Sequence, residues 1–170
     1  MFEVVLVAPE IATNTGNIIR LCANAGVRLH LVEPLGFTMD DASLRRAGLD
    51  YHDLASVLVH ASPAIAEPGL DERRFAFSSR ATRRFDDVAF APGDVFVFGA
   101  ERAGLTPEQI GAFEPVERLV SPMRPGNRSL NLANAVAIVV YEAWRQQGFV
   151  GAAVPGAATS ETLTTDDFDR

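Results

Sequence analysis

The sequence predicts an α/β domain in which a mainly parallel sheet is flanked by helices. Short apolar runs of strand length alternate along the chain with segments of helical character, which is typical of this class. Hydrophobic residues make up 48% of the 170-residue chain, enough to form a buried core. We expect one domain over residues 1–150 and a disordered acidic tail over residues 151–170, where the sequence has no periodicity.

Three strands and two helices are predicted in the first half of the chain. The strands are short apolar runs, and Asn14 is the expected N-cap of the first helix. The second helix opens with acidic residues, which favour a helix N-terminus. In chain order we expect a strand over 2–8, a helix over 15–25, a strand over 28–32, a helix over 40–47 and a strand over 55–60.

The second half of the chain continues the alternation of predicted strands and helices. A short helix is expected after Thr106, because Pro107 suits a first helical turn. The longest predicted helix covers residues 132–147 and has one apolar stripe. That stripe consists of Leu132, Val136, Val139, Val140 and Ala143, and further strands are expected over 73–78, 94–98 and 118–120.

The charge balance argues weakly against a nucleic-acid partner. The formal net charge is −7, and the last 20 residues contribute −3 of it through four acids and one arginine. The body of the chain is therefore acidic as well, so RNA contact requires local clusters of basic residues. Every basic residue is an arginine. Arginine suits phosphate binding, but a GC-rich genome gives the same bias, and we favour that explanation.

Several other classes of protein are disfavoured. No apolar stretch reaches the roughly 18 residues of a membrane helix, and the chain starts without the basic segment of a signal peptide. We therefore expect a cytoplasmic protein. The single cysteine, Cys22, excludes an internal disulfide framework. His30, His52 and His60 lack metal-ligand spacing, so no metal site is predicted.

Ligands of parallel sheets usually bind at the carboxyl ends of the strands, and polar loops follow three of the predicted elements. After the first strand, Asn14, Gly16 and Arg20 open a helix whose free N–H groups suit an anion. A capped helix with a solvated arginine explains this segment equally well.

Two further loops also fit either a ligand-binding role or a purely structural one. The loop after strand 94–98 contains Gly99 and Gly104, which permit a ligand to approach the backbone closely. Ser129 and Asn131 bracket the start of the long helix, where two arginines add positive charge. An ordinary strand-to-helix turn and an ordinary capped helix account for these segments as well.

Taken together in this order and spacing, the three loops resemble the three motifs of the SpoU/TrmH-type RNA 2′-O-methyltransferases of the SPOUT superfamily. The segments 14–24, 44–52 and 139–146 are most similar to the TrmL group, which methylates the ribose of the tRNA wobble nucleotide. The resemblance covers roughly residues 1 to 150.

This resemblance implies a SPOUT fold, whose C-terminal part is threaded into a trefoil knot that binds S-adenosylmethionine without a metal. It also implies a homodimer with an active site at the interface, built mainly by the first and last helices. The residues that match the cofactor loops are Phe77, Ser78, Gly99, Gly104, Ser121, Met123, Ser129, Leu130 and Ala133.

The implied reaction is 2′-O-methylation of cytidine or modified uridine 34 in tRNA, which we expect to be leucine tRNA bound through its anticodon stem-loop. Another tRNA or rRNA ribose, or a non-catalytic RNA- or nucleotide-binding module, remains an alternative. Arg20, Asn14, Glu101, Ser129 and Asn131 match the catalytic positions, and Arg45, Arg46, Arg124, Arg128 and Tyr141 are candidate RNA contacts.

Two of these roles can be specified further. A guanidinium stays protonated in proteins, so we prefer Arg20 as a clamp on the phosphate next to the reacting ribose rather than as the base. Glu101 is expected to hold Asn14 or Arg20 in place.

Overall fold

The structure is a computed structural model that describes residues 2–39, 57–61 and 73–153. The predicted helix over 40–47, with Arg45 and Arg46, lies outside the described residues. The same is true of most of the expected tail, from residue 154 onward.

In the described residues, seven parallel strands form one sheet, which confirms the predicted α/β class. The order across the sheet is β3-β2-β1-β6-β4-β7-β5. Strand β5 was not predicted, because two residues are too few to show a pattern. The strands are β1 (Glu3–Val7), β2 (Arg28–Val32), β3 (Val57–His60), β4 (Arg74–Phe77), β5 (Arg83–Arg84), β6 (Val95–Phe98) and β7 (Arg118–Val120).

The described helices are α1 (Ala12–Ala25), α2 (Pro107–Gly111) and α3 (Leu132–Gln146), with 3-10 turns at Phe85–Asp87 and Pro115–Glu117. Thr106 caps α2 through a capping box with Gln109, and the predicted start of that helix is confirmed. The prediction that Asn14 caps α1 is wrong. That helix begins at Ala12, so Asn14 lies in its first turn and is buried.

Helices α1 and α3 pack against each other and contribute to one core cluster on the sheet. The predicted apolar stripe of α3 is buried there, as expected for an amphipathic helix. A smaller apolar cluster contains Phe113 and Leu105 together with residues of β1 and β6. None of the helices in the described residues is long and apolar enough to cross a membrane.

The chain order reverses at the centre of the sheet. From β1 the chain passes to β2 and β3 on one side, whereas all later strands lie on the other side, starting with β6 next to β1. Such a reversal opens a crevice at the carboxyl ends of the two central strands, where ligands of parallel sheets commonly bind. The loops after β1 and β6 are therefore the first place to look for a site.

Candidate functional site

A cavity of about 290 Å³ lies at the carboxyl ends of β4, β6 and β7. Its walls are the loops after these strands and the start of α3. Eight of the nine predicted cofactor residues line it, namely Phe77, Ser78, Gly99, Gly104, Ser121, Met123, Ser129 and Leu130. The ninth, Ala133, lies outside the lining, and its N–H donates to Asn131 Oδ1 at 2.9 Å.

The loop over residues 99–105 folds back on itself and forms one wall of the cavity. The N–H of Gly104 donates to the carbonyl of Ala100 at 2.8 Å, and Gly104 has a φ of +67°. A Cβ added to Gly99 would lie 2.1 Å from backbone atoms of Gly104 and Leu105. Glycine is therefore required at position 99, where the two sides of the loop approach each other closely.

Glu101 ties this wall to the loop after β1. Its Oε2 accepts a hydrogen bond from the N–H of Glu10 at 2.7 Å. Its Oε1 accepts from the N–H of Ile11 at 3.2 Å and from Nδ2 of Asn14 at 3.1 Å. Ile11 is the N-cap residue of α1 and offers no side-chain cap. A carboxylate from a distant part of the chain thus satisfies a free N–H at this helix end.

The amides of Asn14 and Asn131 extend this contact to α3. Asn14 Oδ1 accepts from Asn131 Nδ2 at 3.0 Å, and Asn131 Oδ1 accepts from the N–H groups of Ala133 and Asn134 at 2.9 and 3.4 Å. An ionised carboxylate can only accept, so Asn14 must turn its NH₂ group toward Glu101. That orientation in turn fixes the amide of Asn131. The first turns of α1 and α3 are therefore aligned by one directional chain of hydrogen bonds.

Arg20 is separated from this network. It lies six residues beyond Asn14, or about 600° around the helix, and therefore on a different side of α1. Its side chain is exposed, whereas Asn14 is 7% exposed. The structure thus brings together Asn14, Glu101 and Asn131, and places Ser129 in the adjacent cavity wall. It does not bring Arg20 to the cavity of the same chain.

The candidate RNA contacts in the described residues are exposed. Arg124 and Arg128 lie in the segment before α3, and Tyr141 is 44% exposed on that helix, with its ring 5.7 Å from the ring of Trp144. Two more arginines, Arg80 and Arg102, line the cavity. Sequence reasoning did not assign them to the cofactor cavity, although they follow strands whose loops were singled out.

Two other arginines, Arg83 and Arg84 of β5, contact the protein itself. Arg83 Nη1 donates to the carbonyl of Val116, and Arg84 forms an ion pair with Asp86 at 2.5 Å. Their guanidinium groups are therefore less available to RNA than those of Arg124 and Arg128.

Cys22, His30 and His60 do not line the cavity. Burial raises the pKa of the Cys22 thiol to about 12, which fits a packed thiol rather than a nucleophile. His30 lies between Glu3 and His60, with ring nitrogens 3.0 Å from Glu3 Oε2 and 2.9 Å from His60 Nε2. In the part of the chain that the structure describes, no three His, Cys, Asp or Glu residues are arranged to hold a metal ion.

Comparison with known proteins gives consistent similarities. The sequence profile of the SpoU rRNA methylase family matches residues 1–141. The chain is 61% identical over 156 residues to a tRNA (cytidine(34)-2′-O)-methyltransferase of Burkholderia pseudomallei, which covers 90% of this chain and 100% of that protein.

Two solved structures share the fold. One concerns the 2-OH methylation of C/U34 on tRNA and is 42% identical, with a TM-score of 0.78, covering 87% of this chain and 91% of that one. The other is the SpoU methyltransferase AviRb of Streptomyces viridochromogenes in complex with the cofactor AdoMet. It is 24% identical, with a TM-score of 0.73, covering 85% of this chain and 57% of that one.

Proposed function

The chain belongs to the SpoU rRNA methylase family, and we propose that it transfers a methyl group from S-adenosylmethionine to the ribose 2′-hydroxyl of nucleotide 34 in tRNA. The observation that supports this most strongly is the cavity at the carboxyl ends of the strands, directly beside the Asn14–Glu101–Asn131 network. The relatives named for cytidine 34 supply the substrate class. Cytidine or modified uridine 34 of leucine tRNA is the proposed target.

The cavity residues fit S-adenosylmethionine. Gly99 and Gly104 leave the cavity wall without side chains at these two positions, while Phe77 and Leu130 offer apolar contact to an adenosine group. The volume is close to the lower end of the range of about 300–1,000 Å³ typical of ligand pockets. Bound S-adenosylmethionine supplies an electrophilic methyl group on a sulfonium sulfur. The protein must then position the ribose hydroxyl and help its proton to leave.

The residues of the network have distinct proposed roles. Glu101 fixes the orientation of Asn14, which together with Asn131 aligns the two helix ends beside the reacting ribose. Ser129 orients substrate and cofactor from the cavity wall. Arg20 binds the adjacent phosphate and stabilises negative charge on the attacking oxygen. Arg45, Arg46, Arg124, Arg128 and Tyr141 bind the anticodon stem-loop.

A homodimer would explain why Arg20 and the cavity are separated in one chain. The exposed side of α1 carries Arg20, and α3 exposes Ile138 and Tyr141, each to 44%. An apolar surface of this kind is often covered by a partner. In the proposed dimer, α1 and α3 form the interface and Arg20 acts in the site of the second protomer. We also propose that the chain contains the trefoil knot of the SPOUT fold and that the protein is cytoplasmic.

The substrate assignment is tested in a strain that lacks this protein. We expect tRNA from that strain to lose the 2′-O-methyl group at nucleotide 34, and a plasmid copy of the gene to restore it. An unchanged nucleotide 34 together with a lost methyl group at another ribose would reassign the target. Calorimetry with S-adenosylhomocysteine tests the reaction class, because a chain that binds no cofactor cannot be the methyltransferase.

A further inference from the structure

Two glutamates hold the loops after β1 and β6 together in a reciprocal way. The side chain of Glu101 accepts from the N–H of Glu10 at 2.7 Å, and the side chain of Glu10 accepts from the N–H of Arg102 at 3.2 Å. Each carboxylate therefore binds the backbone of the other loop. We call this pair, Glu10 and Glu101, the glutamate bridge. The match to known motifs included Glu101 and gave Glu10 no role.

The side chain of Glu10 contacts the turn of the loop that forms the cavity wall. The antiparallel bridge between Ala100 and Gly104 closes the base of the wall loop, so residues 101–103 form its turn. The side chain of Glu10 binds the backbone of that turn at Arg102, which itself lines the cavity. The contact from Glu10 therefore acts on the wall and not on the central sheet.

The backbone of Glu10 is itself held from two sides. A Cβ at Gly36 would lie 2.5 Å from the carbonyl oxygen of Glu10, and the N–H of Gly36 donates to the Pro9 carbonyl at 2.9 Å. The loop after β2 thus supports one side, and Glu101 supports the other. A side chain that extends from such a fixed point can position the turn it contacts.

We propose that Glu10 is a positioning residue that fixes the wall of the cofactor cavity relative to Asn14 and α1. The assignment concerns the site of the proposed function and rests on it for the identity of the cofactor. Glu10 acts through the backbone of residues 101–103 and has no part in the chemical step. Loss of its carboxylate frees the turn while Glu101 still caps α1.

The test compares Glu10→Ala with Glu10→Gln and with Glu108→Ala, in which an exposed glutamate of α2 is removed as a matched control. Amide hydrogen exchange in the cofactor-free protein reports on the turn directly. We expect Glu10→Ala to accelerate exchange at Arg102 by about three- to tenfold, as for the loss of one hydrogen bond. Exchange in β6 should not change. Calorimetry with S-adenosylhomocysteine should show a Kd raised by a similar factor.

The conservative variant distinguishes positioning from a general effect of charge or stability. A glutamine keeps one oxygen that can accept from Arg102, so Glu10→Gln should stay within about twofold of the wild type in both measurements. The proposal is wrong if Glu10→Ala behaves like Glu108→Ala, or if Glu10→Gln is as impaired as Glu10→Ala. If the wild type binds no S-adenosylhomocysteine, the proposed function fails, and the exchange measurement still decides whether Glu10 fixes the turn.

Discussion

The two ends of the sheet use charged side chains differently. At the amino end, carboxylates pair with arginines: Glu3 with Arg28 at 2.5 Å, and Asp94 with Arg73 at 2.6 Å. At the carboxyl end, the Glu101 carboxylate binds backbone N–H groups and an amide. The Glu3 and Asp94 carboxylates are each paired with an arginine, whereas the Glu101 carboxylate aligns two loops beside the cavity. This difference separates residues that stabilise the fold from residues that shape the site.

The sharpest test of that separation is Gly99→Ala. The new Cβ would lie 2.1 Å from the backbone of Gly104 and Leu105, so the cavity wall has to move. We expect affinity for S-adenosylhomocysteine to fall by about 100-fold or more, since a displaced backbone misplaces several contacts at once. Isothermal titration calorimetry measures this affinity. Gly111→Ala is the control, because its Cβ meets nothing within 4 Å and alanine favours a helix.

Asp94→Ala tests the amino end. Asp94 is 2% exposed and accepts from Arg73 and from the N–H of Ala91 at 2.8 Å. Its removal should lower the free energy of unfolding by about 2–3 kcal/mol, because hydrogen bonds to a buried charged group are lost. Urea denaturation measures this change. At temperatures where the variant is folded, its affinity for S-adenosylhomocysteine should equal that of the wild type. A loss of affinity as large as that of Gly99→Ala would contradict the division between the two ends.

The double variant Arg124→Ala/Arg128→Ala tests the carboxyl end as the RNA surface. Each arginine is exposed in the segment before α3. We expect KM for tRNA to rise by about 10- to 30-fold, because each of the two phosphate contacts contributes on the order of 1 kcal/mol and depends on salt. The slope of log KM against log salt should become shallower, while affinity for S-adenosylhomocysteine stays unchanged. Arg84→Ala is the matched control, since that arginine already pairs with Asp86.

The smallest effect concerns pH and His30 in the middle of β2, which contacts Glu3. Burial is the main reason that the pKa of His30 lies below its ordinary value of 6.5; Glu3 opposes this shift and His60 adds to it. The unfolded chain therefore binds this proton more readily than the folded one. The resulting contribution to stability is present above pH 6.5 and is lost as pH falls below it. His30→Gln should flatten that part of a curve of unfolding free energy against pH. An unchanged slope would remove His30 as its source.

The contrast between the two ends also explains what the sequence could predict. The bounds of β2 and β7 and the start of α3 follow from local apolar patterns, and the structure places them at the predicted residues. The start of α1 could not be read locally, because its free N–H is satisfied by Glu101, 90 residues away. Strand β5 is too short to leave a pattern.

In the site, too, the residues that depend on contacts between distant parts of the chain could not be predicted from local patterns. Eight cavity residues were anticipated through the resemblance to known motifs, since a motif identifies loops that meet only after folding. Ala133 does not line the cavity, and its backbone N–H donates to Asn131 Oδ1, a contact that the motif does not reveal. Glu10 carries no pattern of its own, and its role follows from a contact across 92 residues.

The central claim is methyl transfer to the 2′-hydroxyl of nucleotide 34. The most direct measurement incubates the purified protein with S-adenosylmethionine and two leucine tRNAs that differ only in a ribose or a 2′-deoxyribose at that nucleotide. Mass spectrometry of nuclease fragments then locates the methyl group. The account predicts one added methyl group on nucleotide 34 of the first tRNA and none on the second. Equal methylation of both tRNAs, or of neither while the protein binds the cofactor, would contradict it.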